Sequence, residues 1–423
     1  LSSHVILLEI DRFNDEFLTY GTIVMKPFIK IMFISTLAAV SSAQAVLLTG
    51  SGESGPNGLK NLEDRVIVAE TYSSQGAFAV INGNIQSGTY TSLGAGNFLL
   101  PNTGGQTGNP ARYGPFGLGI YAGTIRGDVY SGTSTSTGDG AVVHGDISSG
   151  GDAANTADGF TMIGANGAVG GNIHSDTYTS TGANALIKGD ITALSIALGA
   201  STTIDGTQTI AGHTAPDVAS RDSIIAGHQA YFKANAGGLL GPVTTYATGG
   251  FSTFGASDTS FSAGVHNIDD ILSFTADWDI NLNGDGTDQD WIFNVGNYMS
   301  LGANVNVNLI GAGANSRVIW NVLGDSTDAP GLGYASLGAG VNFIGEILAN
   351  SYISVGAGLA HVQGVNDTCG GLYSKTGYVS VGAKSVVGGT GCSVEVPAPA
   401  TALLFGLGLG LVGLVGVTRR KKA

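Results

Sequence analysis

The chain has 423 residues, of which 69 are glycine and only 11% are Asp, Glu, Lys or Arg. Thirty-one acidic residues against 17 basic ones give a net charge of −14, which argues against nucleic acid as a partner because phosphate requires a basic surface. The glycines follow no three-residue period, which excludes collagen, and 43% hydrophobic residues are too many for a disordered chain.

Met25 begins a segment with the three parts of a secretory signal peptide. Two lysines form its basic start, an apolar run follows at 31–40, and an A-x-A cleavage site ends at Ala45. We predict that residues 25–45 are a signal peptide and that the chain is exported. Residues 1–24 carry charges that no signal needs, so we interpret them as an over-extended reading frame. A genuine N-terminal helix is the alternative.

Residues 46–214 contain a repeat of 44 residues. The triplet Gly83-Asn84-Ile85 recurs at 127–129 and 171–173, and a half-repeat follows 18 residues after each of the last two copies. Alternating apolar residues between Gly, Asn and Asp predict short strands joined by tight turns. We therefore predict a β-solenoid with two coils per repeat, about 18 and 26 residues long.

A single long helix is predicted at 215–238, flanking the solenoid. One apolar stripe marks it, and two glycines end it. The stripe consists of Ile224, Ile225, His228, Tyr231 and Phe232. We interpret His228 as a packed core residue and not as a ligand.

Strand patterns return over 239–392 without the 44-residue register. Three runs, at 290–296, 316–322 and 341–349, predict strands. The refrain Ser-Leu-Gly-Ala at 300–303 and 336–339, with variants at 354–357 and 380–383, is predicted to mark successive coil corners. Cys369 and Cys392 lie in the exported part, where a disulfide can persist, and two free thiols are the alternative.

These C-terminal strands resemble those of the ice-binding-like β-solenoid family, which overlaps with the choice-of-anchor A surface proteins. The similarity covers about residues 215–364 and is carried by the strand at 291–296 and by the segments at 309–322 and 345–357. The resemblance implies an all-β, right-handed, three-sided β-helix with one flanking α-helix. It does not imply ice binding for every member, and no ice-contacting residue is carried over.

The C-terminal segment 393–423 resembles a PEP-CTERM sorting tail. Pro397 and Pro399 precede 18 apolar residues, and a basic cluster containing Arg419 and Arg420 follows them. Such an apolar segment can just span a bilayer, with its basic end in the cytoplasm. The tail has Ala398 where that signal usually has Glu. The resemblance implies an exosortase-type sorting enzyme of a Gram-negative envelope, whereas a plain tail anchor is the alternative.

Threonines at alternate strand positions are the predicted binding face. Residues i and i+2 of a strand point to the same side, and neighbouring coils lie about 4.8 Å apart. Such threonines could form a flat grid, although ordinary exposed strand residues are the alternative. The candidates are Thr89, Thr91, Thr133, Thr135, Thr177 and Thr179.

A weak calcium-loop pattern lies at 281–290. Its candidate oxygen ligands are Asn281, Asn283, Asp285 and Asp288, but the twelfth position is Ile292 where a bidentate Glu is needed. A polar turn between strands is the preferred interpretation, and no metal or other cofactor is predicted.

The motifs of common enzymes are missing from the sequence. It contains no H-E-x-x-H and no G-x-S-x-G, and its seven histidines are scattered. We therefore predict a non-catalytic, exported protein of the cell surface or matrix. Its expected function is adhesion to polysaccharide or cells through a flat solenoid face, and the alternative is ice binding.

Overall fold

The computed structural model describes Leu62 and residues 65–96, 124–125, 127–150, 159–211, 222–234, 240–246, 259–325, 332–365 and 370–389. Several predictions fall outside these residues. They are the signal peptide, the sorting tail with its Pro397, Pro399, Arg419 and Arg420, and the Cys369–Cys392 disulfide.

The described strands form three parallel sheets, named A, B and C here. Sheet A contains β1 (Arg65–Ala69), β4 (Asn84–Ser87), β7 (Val129–Ser131), β10 (Ile147–Ser149), β13 (Ile173–Ser175), β16 (Ile191–Ala193), β19 (Gln208–Ile210), β20 (Val243–Tyr246), β22 (Gly264–Ile268), β25 (Asp290–Val295), β28 (Arg317–Val322), β31 (Glu346–Ala349) and β34 (Leu372–Ser374). Sheet B contains β2 (Ser73–Gln75), β5 (Tyr90–Leu93), β8 (Ser134–Thr137), β11 (Phe160–Ile163), β14 (Tyr178–Thr181), β17 (Ser195–Ala197), β23 (Leu272–Phe274), β26 (Met299–Leu301), β29 (Ala335–Leu337), β32 (Ile353–Val355) and β35 (Val379–Val381). Sheet C contains β3 (Val80–Ile81), β6 (Thr124–Ile125), β9 (Val142–Val143), β12 (Ala168–Val169), β15 (Leu186–Ile187), β18 (Thr203–Ile204), β21 (Thr259–Ser262), β24 (Asp279–Asn283), β27 (Asn306–Ile310), β30 (Asn342–Ile344), β33 (His361–Gln363) and β36 (Val386–Val387).

Successive coils add one strand to each sheet, which confirms the predicted three-sided β-solenoid. Ile85 pairs with Val129, Val129 with Ile147, and Ile147 with Ile173, and all four side chains are fully buried. The alternation in the sequence therefore points one apolar residue per strand into the interior, where it packs on its equivalent in the next coil.

The coils do not follow chain order along the solenoid. Strand β1 of the first coil pairs with β4 on one side and with β34 of the last described coil on the other. The N-terminal half ends at β19 on one edge of sheet A, and the C-terminal half starts at β20 on the opposite edge. A single continuous core therefore contains both halves of the chain, joined where the first coil meets the last.

Asn and Asp side chains fix the corners before sheet A, which explains the recurring Gly-[Asn/Asp]-[Ile/Val] triplet. Asn84 Oδ1 accepts a hydrogen bond from the backbone N–H of Asp128 at 2.6 Å, and Asp128 Oδ1 accepts one from Asp146 at 2.8 Å. A Cβ at Gly127 would lie 2.3 Å from the Asn84 Oδ1 atom. Glycine is therefore needed beside each capping side chain.

The two 44-residue steps of the repeat correspond to different numbers of coils. Ile85 and Val129 lie on adjacent coils, so the first 44-residue step is one coil enlarged by an insertion. The prediction of two coils is wrong for that step. It is correct for the next one, because Ile147 lies between Val129 and Ile173, 18 and 26 residues away.

The run 341–349, predicted as one strand, is two strands in different sheets. Gly345, at φ 121°, turns the chain between β30 of sheet C and β31 of sheet A. A Cβ at this position would lie 2.5 Å from the carbonyl oxygen of Val318. The close approach of the neighbouring coil and the positive φ both require glycine here.

The flanking helix α1 (Asp222–Ala234) packs on the outer surface of sheet A in the C-terminal half. Ile225, His228 and Phe232 of the predicted stripe are buried, which confirms His228 as a packed residue. Asn321 Nδ2 donates to the Gln229 carbonyl at 3.0 Å. Within the described part of the chain, no helix is long and apolar enough to cross a membrane.

Candidate ligand-binding face

The threonines predicted as a binding face do not form one. Thr91, Thr135 and Thr179 are fully buried, because they point into the solenoid with the apolar residues. Thr89, Thr133 and Thr177 lie at the corners just before sheet B and are only partly exposed. Each donates its hydroxyl to a backbone carbonyl of the preceding coil, at 2.8, 3.0 and 2.9 Å.

The inward threonines belong to a chain of buried hydroxyls at the corner between sheets A and B. Eight fully buried side chains are joined by hydrogen bonds of 2.8–3.0 Å. In order of contact they are Ser87, Thr91, Ser131, Thr135, Ser149, Thr161, Ser175 and Thr179. Each hydroxyl can donate one bond and accept others, so the chain satisfies its own polar groups without water.

The outward surface of sheet B carries a row of serines in register. The central outward position of its eleven strands is serine in every strand except β11 and β17, which have Met162 and Ala197. We call this the serine row. Its serines are Ser273, Ser300, Ser336, Ser354, Ser380, Ser74, Ser92, Ser136 and Ser180, in spatial order.

A row of stacked tyrosines runs beside the serine row, two residues earlier in six consecutive coils. Six rings stack with centroids 4.8–5.0 Å apart and planes within 8° of parallel. We call this the tyrosine row. Its members are Tyr298, Tyr334, Tyr352, Tyr378, Tyr72 and Tyr90. Because the stacked faces cover one another, the row fixes its phenol groups at the spacing of the coils.

A third row, of glycines, follows two residues after the serines. A Cβ at Gly76 would lie 2.4 Å from the backbone nitrogen of Ala383, and one at Gly356 would lie 2.5 Å from that of Ala339. Neighbouring coils are therefore too close for any side chain here. Sheet B consequently has an outer surface of tyrosine, serine and glycine rows in parallel.

Sheet B is also free of charge. None of its eleven described strands contains Asp, Glu, Lys or Arg. Burial raises the pKa of Tyr72, Tyr334 and Tyr352, and neighbouring tyrosines add to the rise, so their hydroxyls stay neutral. Eleven coils at about 4.8 Å make this surface about 48 Å long.

The calcium candidates are used in hydrogen bonds within the protein. Asp285 Oδ1 accepts from the Thr287 hydroxyl at 2.6 Å, and Asp288 accepts from Asn315 at 2.9 Å. These bonds lower the pKa of both carboxyls. Asn281 lies in sheet C and accepts from Asn308 at 3.2 Å, whereas Asn283 is exposed at the end of β24.

The described residues contain no group of three or more His, Cys, Asp or Glu that could hold a metal. Asn281 and Asn283 belong to β24, and residues 284–289 connect β24 to β25. The Ser-Leu-Gly-Ala refrain and its Val variants contained the sequence signal for the outer surface of sheet B. The Leu or Val must point inward, so the Ser before it and the Gly after it both lie on the outer side.

The described part of the chain is therefore a parallel β-solenoid with one flanking helix and one long uncharged face. No protein-family model and no curated protein matches it. Its fold is similar to three solved ice-binding proteins. The first, from an Antarctic biological consortium, is 11% identical with a TM-score of 0.36, covering 81% of this chain and 95% of that one. The second, from Antarctomyces psychrotrophicus, is 12% identical with a TM-score of 0.31, covering 77% and 94%. The third, from an Arctic yeast, is 18% identical with a TM-score of 0.32, covering 58% and 95%.

Proposed function

We propose that this chain is an exported ice-binding protein that contacts ice through the outer surface of sheet B. The observation that carries the proposal is the pair of hydroxyl rows, one of serine and one of tyrosine, on a long sheet without charges. This face replaces the predicted threonine grid. Ice, the alternative ligand predicted from the sequence, matches the outer surface of sheet B better than the other predicted ligands do.

The geometry supports ice because ice offers a flat, periodic and uncharged lattice of water. Hydroxyls repeat along sheet B about every 4.8 Å, and the strand positions that carry the two rows lie about 6–7 Å apart along each strand. Fixed hydroxyls can hold waters in fixed positions at little further entropic cost. Stacked rings and hydrogen-bonded coils on both sides keep these groups in place.

Thermal hysteresis and inhibition of ice recrystallisation by the purified protein would test this function. Ser354→Lys places a charge in the middle of the serine row and is expected to reduce thermal hysteresis at least twofold. Ser260→Lys, on an exposed position of sheet C, is the matched control and should retain the activity. Absence of any effect of the wild-type protein on ice growth would overturn the proposal.

Adhesion to an extended polysaccharide or to cells, predicted from the sequence, is the second candidate function. It is favoured by the aromatic side chains of sheet B, of which Tyr90 and Tyr178 are the most exposed, at 42% and 36%. Polysaccharide binding by a protein that leaves ice growth unchanged would select this function.

Both candidate functions require export, because ice and surface polysaccharides lie outside the cell. We include in the proposal removal of the signal peptide and processing of the tail by an exosortase-type enzyme. Mass spectrometry of protein recovered from the producing cells tests both steps. Termini near residues 46 and 400 are expected.

A further inference from the structure

The tyrosine row on sheet B is interrupted by a single serine. After Tyr90, the next coil has Ser134 at the paired position, and the coil after that has Phe160. Phe160 then pairs with Tyr178, and the two rings stack with centroids 5.1 Å apart and planes 11° from parallel. Two aromatic stacks therefore face each other across the coil that carries Ser134.

The interruption has the size of one missing ring. Tyr90 stacks on Tyr72 at 5.0 Å, on the side away from Ser134. Two coil spacings of about 4.8 Å place Tyr90 and Phe160 about 9.6 Å apart. A flat ring midway would lie about 4.8 Å from each centroid, within the usual 4.5–7 Å range for stacked rings. We call this space the Ser134 slot.

The floor of the slot is polar, and the three strands around it carry no charge. The Ser134 side chain is partly exposed, and its hydroxyl makes no hydrogen bond to any residue that the structure describes. Ser92 and Ser136 lie beside it in the serine row, also partly exposed. The strands β5, β8 and β11 around the slot contain no charged residue that would select an ionic ligand.

We propose that the Ser134 slot binds one pyranose ring of a glycan. A pyranose has two flat faces of C–H groups, which suit the electron-rich faces of Tyr90 and Phe160. Its rim of hydroxyls suits the serine hydroxyls at the floor. A purely apolar ring would leave the Ser134 hydroxyl without a partner, and burying an unpaired hydroxyl is unfavourable. The slot is a local site and does not require that sheet B bind ice.

The substitution Ser134→Tyr tests the slot by filling it. The new ring would stack between Tyr90 and Phe160 and make the aromatic row continuous, so the fold should be retained. Ser195→Tyr is the matched control, because Ser195 pairs with Tyr178 beyond the second stack and its ring would close no slot. Phe160→Leu removes one wall and leaves Ser134 in place.

Binding is measured with the purified full-length protein on a microarray of neutral polysaccharides that includes cellulose, xylan, chitin and dextran. We expect the wild type to bind at least one of them. Ser134→Tyr and Phe160→Leu should each weaken that binding at least tenfold, whereas Ser195→Tyr should stay within twofold. Circular dichroism and the melting temperature establish that each variant is folded.

Three results would overturn the slot proposal. The wild type could bind none of these polysaccharides, or the filled variant could bind them as tightly as the wild type. Alternatively, binding sensitive to Ser134→Tyr could be found only on phosphorylcholine or phenyl beads, or as self-association, which would identify a different ligand. Ice growth assays separate this proposal from ice binding, because Ser134→Tyr extends the hydroxyl row and is expected to keep any ice activity.

Discussion

Ser131 Oγ donates a hydrogen bond of 2.8 Å to Thr91 Oγ1, although 40 residues separate the two in the chain. Both side chains are fully buried, and they lie on adjacent coils. This contact is one link of the buried hydroxyl chain at the corner between sheets A and B. It shows that the inward threonines of sheet B serve the interior, where hydroxyls of neighbouring coils satisfy one another.

Thr135→Val is expected to destabilise the protein without affecting ligand binding. Thr135 Oγ1 contacts Ser131 Oγ and Ser149 Oγ, both at 2.9 Å. Valine keeps the shape but removes both bonds inside the core, so we expect a loss of about 1–3 kcal/mol in the free energy of unfolding. Urea denaturation measures it, with the outward Ser136→Ala as the control. Equal stability of the two variants would contradict a structural role for the hydroxyl chain.

The sequence was sufficient to predict the type of fold. Alternating apolar residues such as Ile85 and Val129, with Gly-[Asn/Asp] before them, indicate strands and corners locally. The spatial order of the coils was not predictable in this way. Ile67 pairs with Leu372, and no local pattern indicates that the first coil lies against the last.

The candidate face was mispredicted because polarity was taken as a guide to exposure. Alternate residues of a strand point to the same side. In β5, Thr91 and Leu93 therefore both point inward, and Ser92 between them points outward. The same alternation is clearer at β32, because the two inward residues that flank Ser354 are the apolar Ile353 and Val355. Threonine is tolerated inside only because Ser87 and Ser131 supply partners, which lie on other strands and cannot be read from the local sequence.

Gly76→Ala is expected to weaken the junction between the two halves of the solenoid. Gly76 belongs to the first coil, and a Cβ there would lie 2.4 Å from the backbone nitrogen of Ala383 in the last described coil. Backbone atoms cannot move as a side chain can, so the coils must separate, and we expect a cost of about 1–3 kcal/mol. Thermal unfolding checks this value. Ser74→Ala, in the same coil but pointing outward, is the control and should leave the melting temperature unchanged. If Gly76→Ala also melted at the temperature of the wild type, the two coils would not be in close contact at the junction.

Asn321→Leu is expected to loosen helix α1. The buried Asn321 Nδ2 donates to the Gln229 carbonyl at 3.0 Å and to Asn294 Oδ1 at 2.8 Å. Leucine removes both bonds and leaves the buried Asn294 Oδ1 without its donor, at a cost of about 1–3 kcal/mol. Hydrogen exchange of the helix amides should accelerate.

Lys233→Met provides the control for the helix. The pair between Lys233 and Asp325 is exposed, and exposed pairs contribute about 0–1 kcal/mol. Faster exchange in this variant than in Asn321→Leu would mean that the surface ion pair, and not the buried amide, holds the helix on sheet A.

Glu346 is expected to make the protein less stable as the pH rises. Part of the residue reaches solvent, but its Oε2 atom is buried and has no hydrogen-bond partner among the described residues. Burial raises the pKa of this carboxyl to about 8, and the positive charge of Arg317 opposes the rise. Because the folded state holds the proton more tightly than the unfolded state, stability is highest below the ordinary glutamate pKa and is lost as the pH rises through about 8.

Melting temperatures measured from pH 4 to pH 9 test this dependence. Glu346→Gln mimics the protonated form, so it should match the wild type at the acidic end and exceed it at pH 9. Asp269→Asn, on an exposed position, is the control and should retain the slope of the wild type. An identical slope in Glu346→Gln and the wild type would show that the Glu346 carboxyl is ionised in the folded protein and that the pH dependence arises elsewhere.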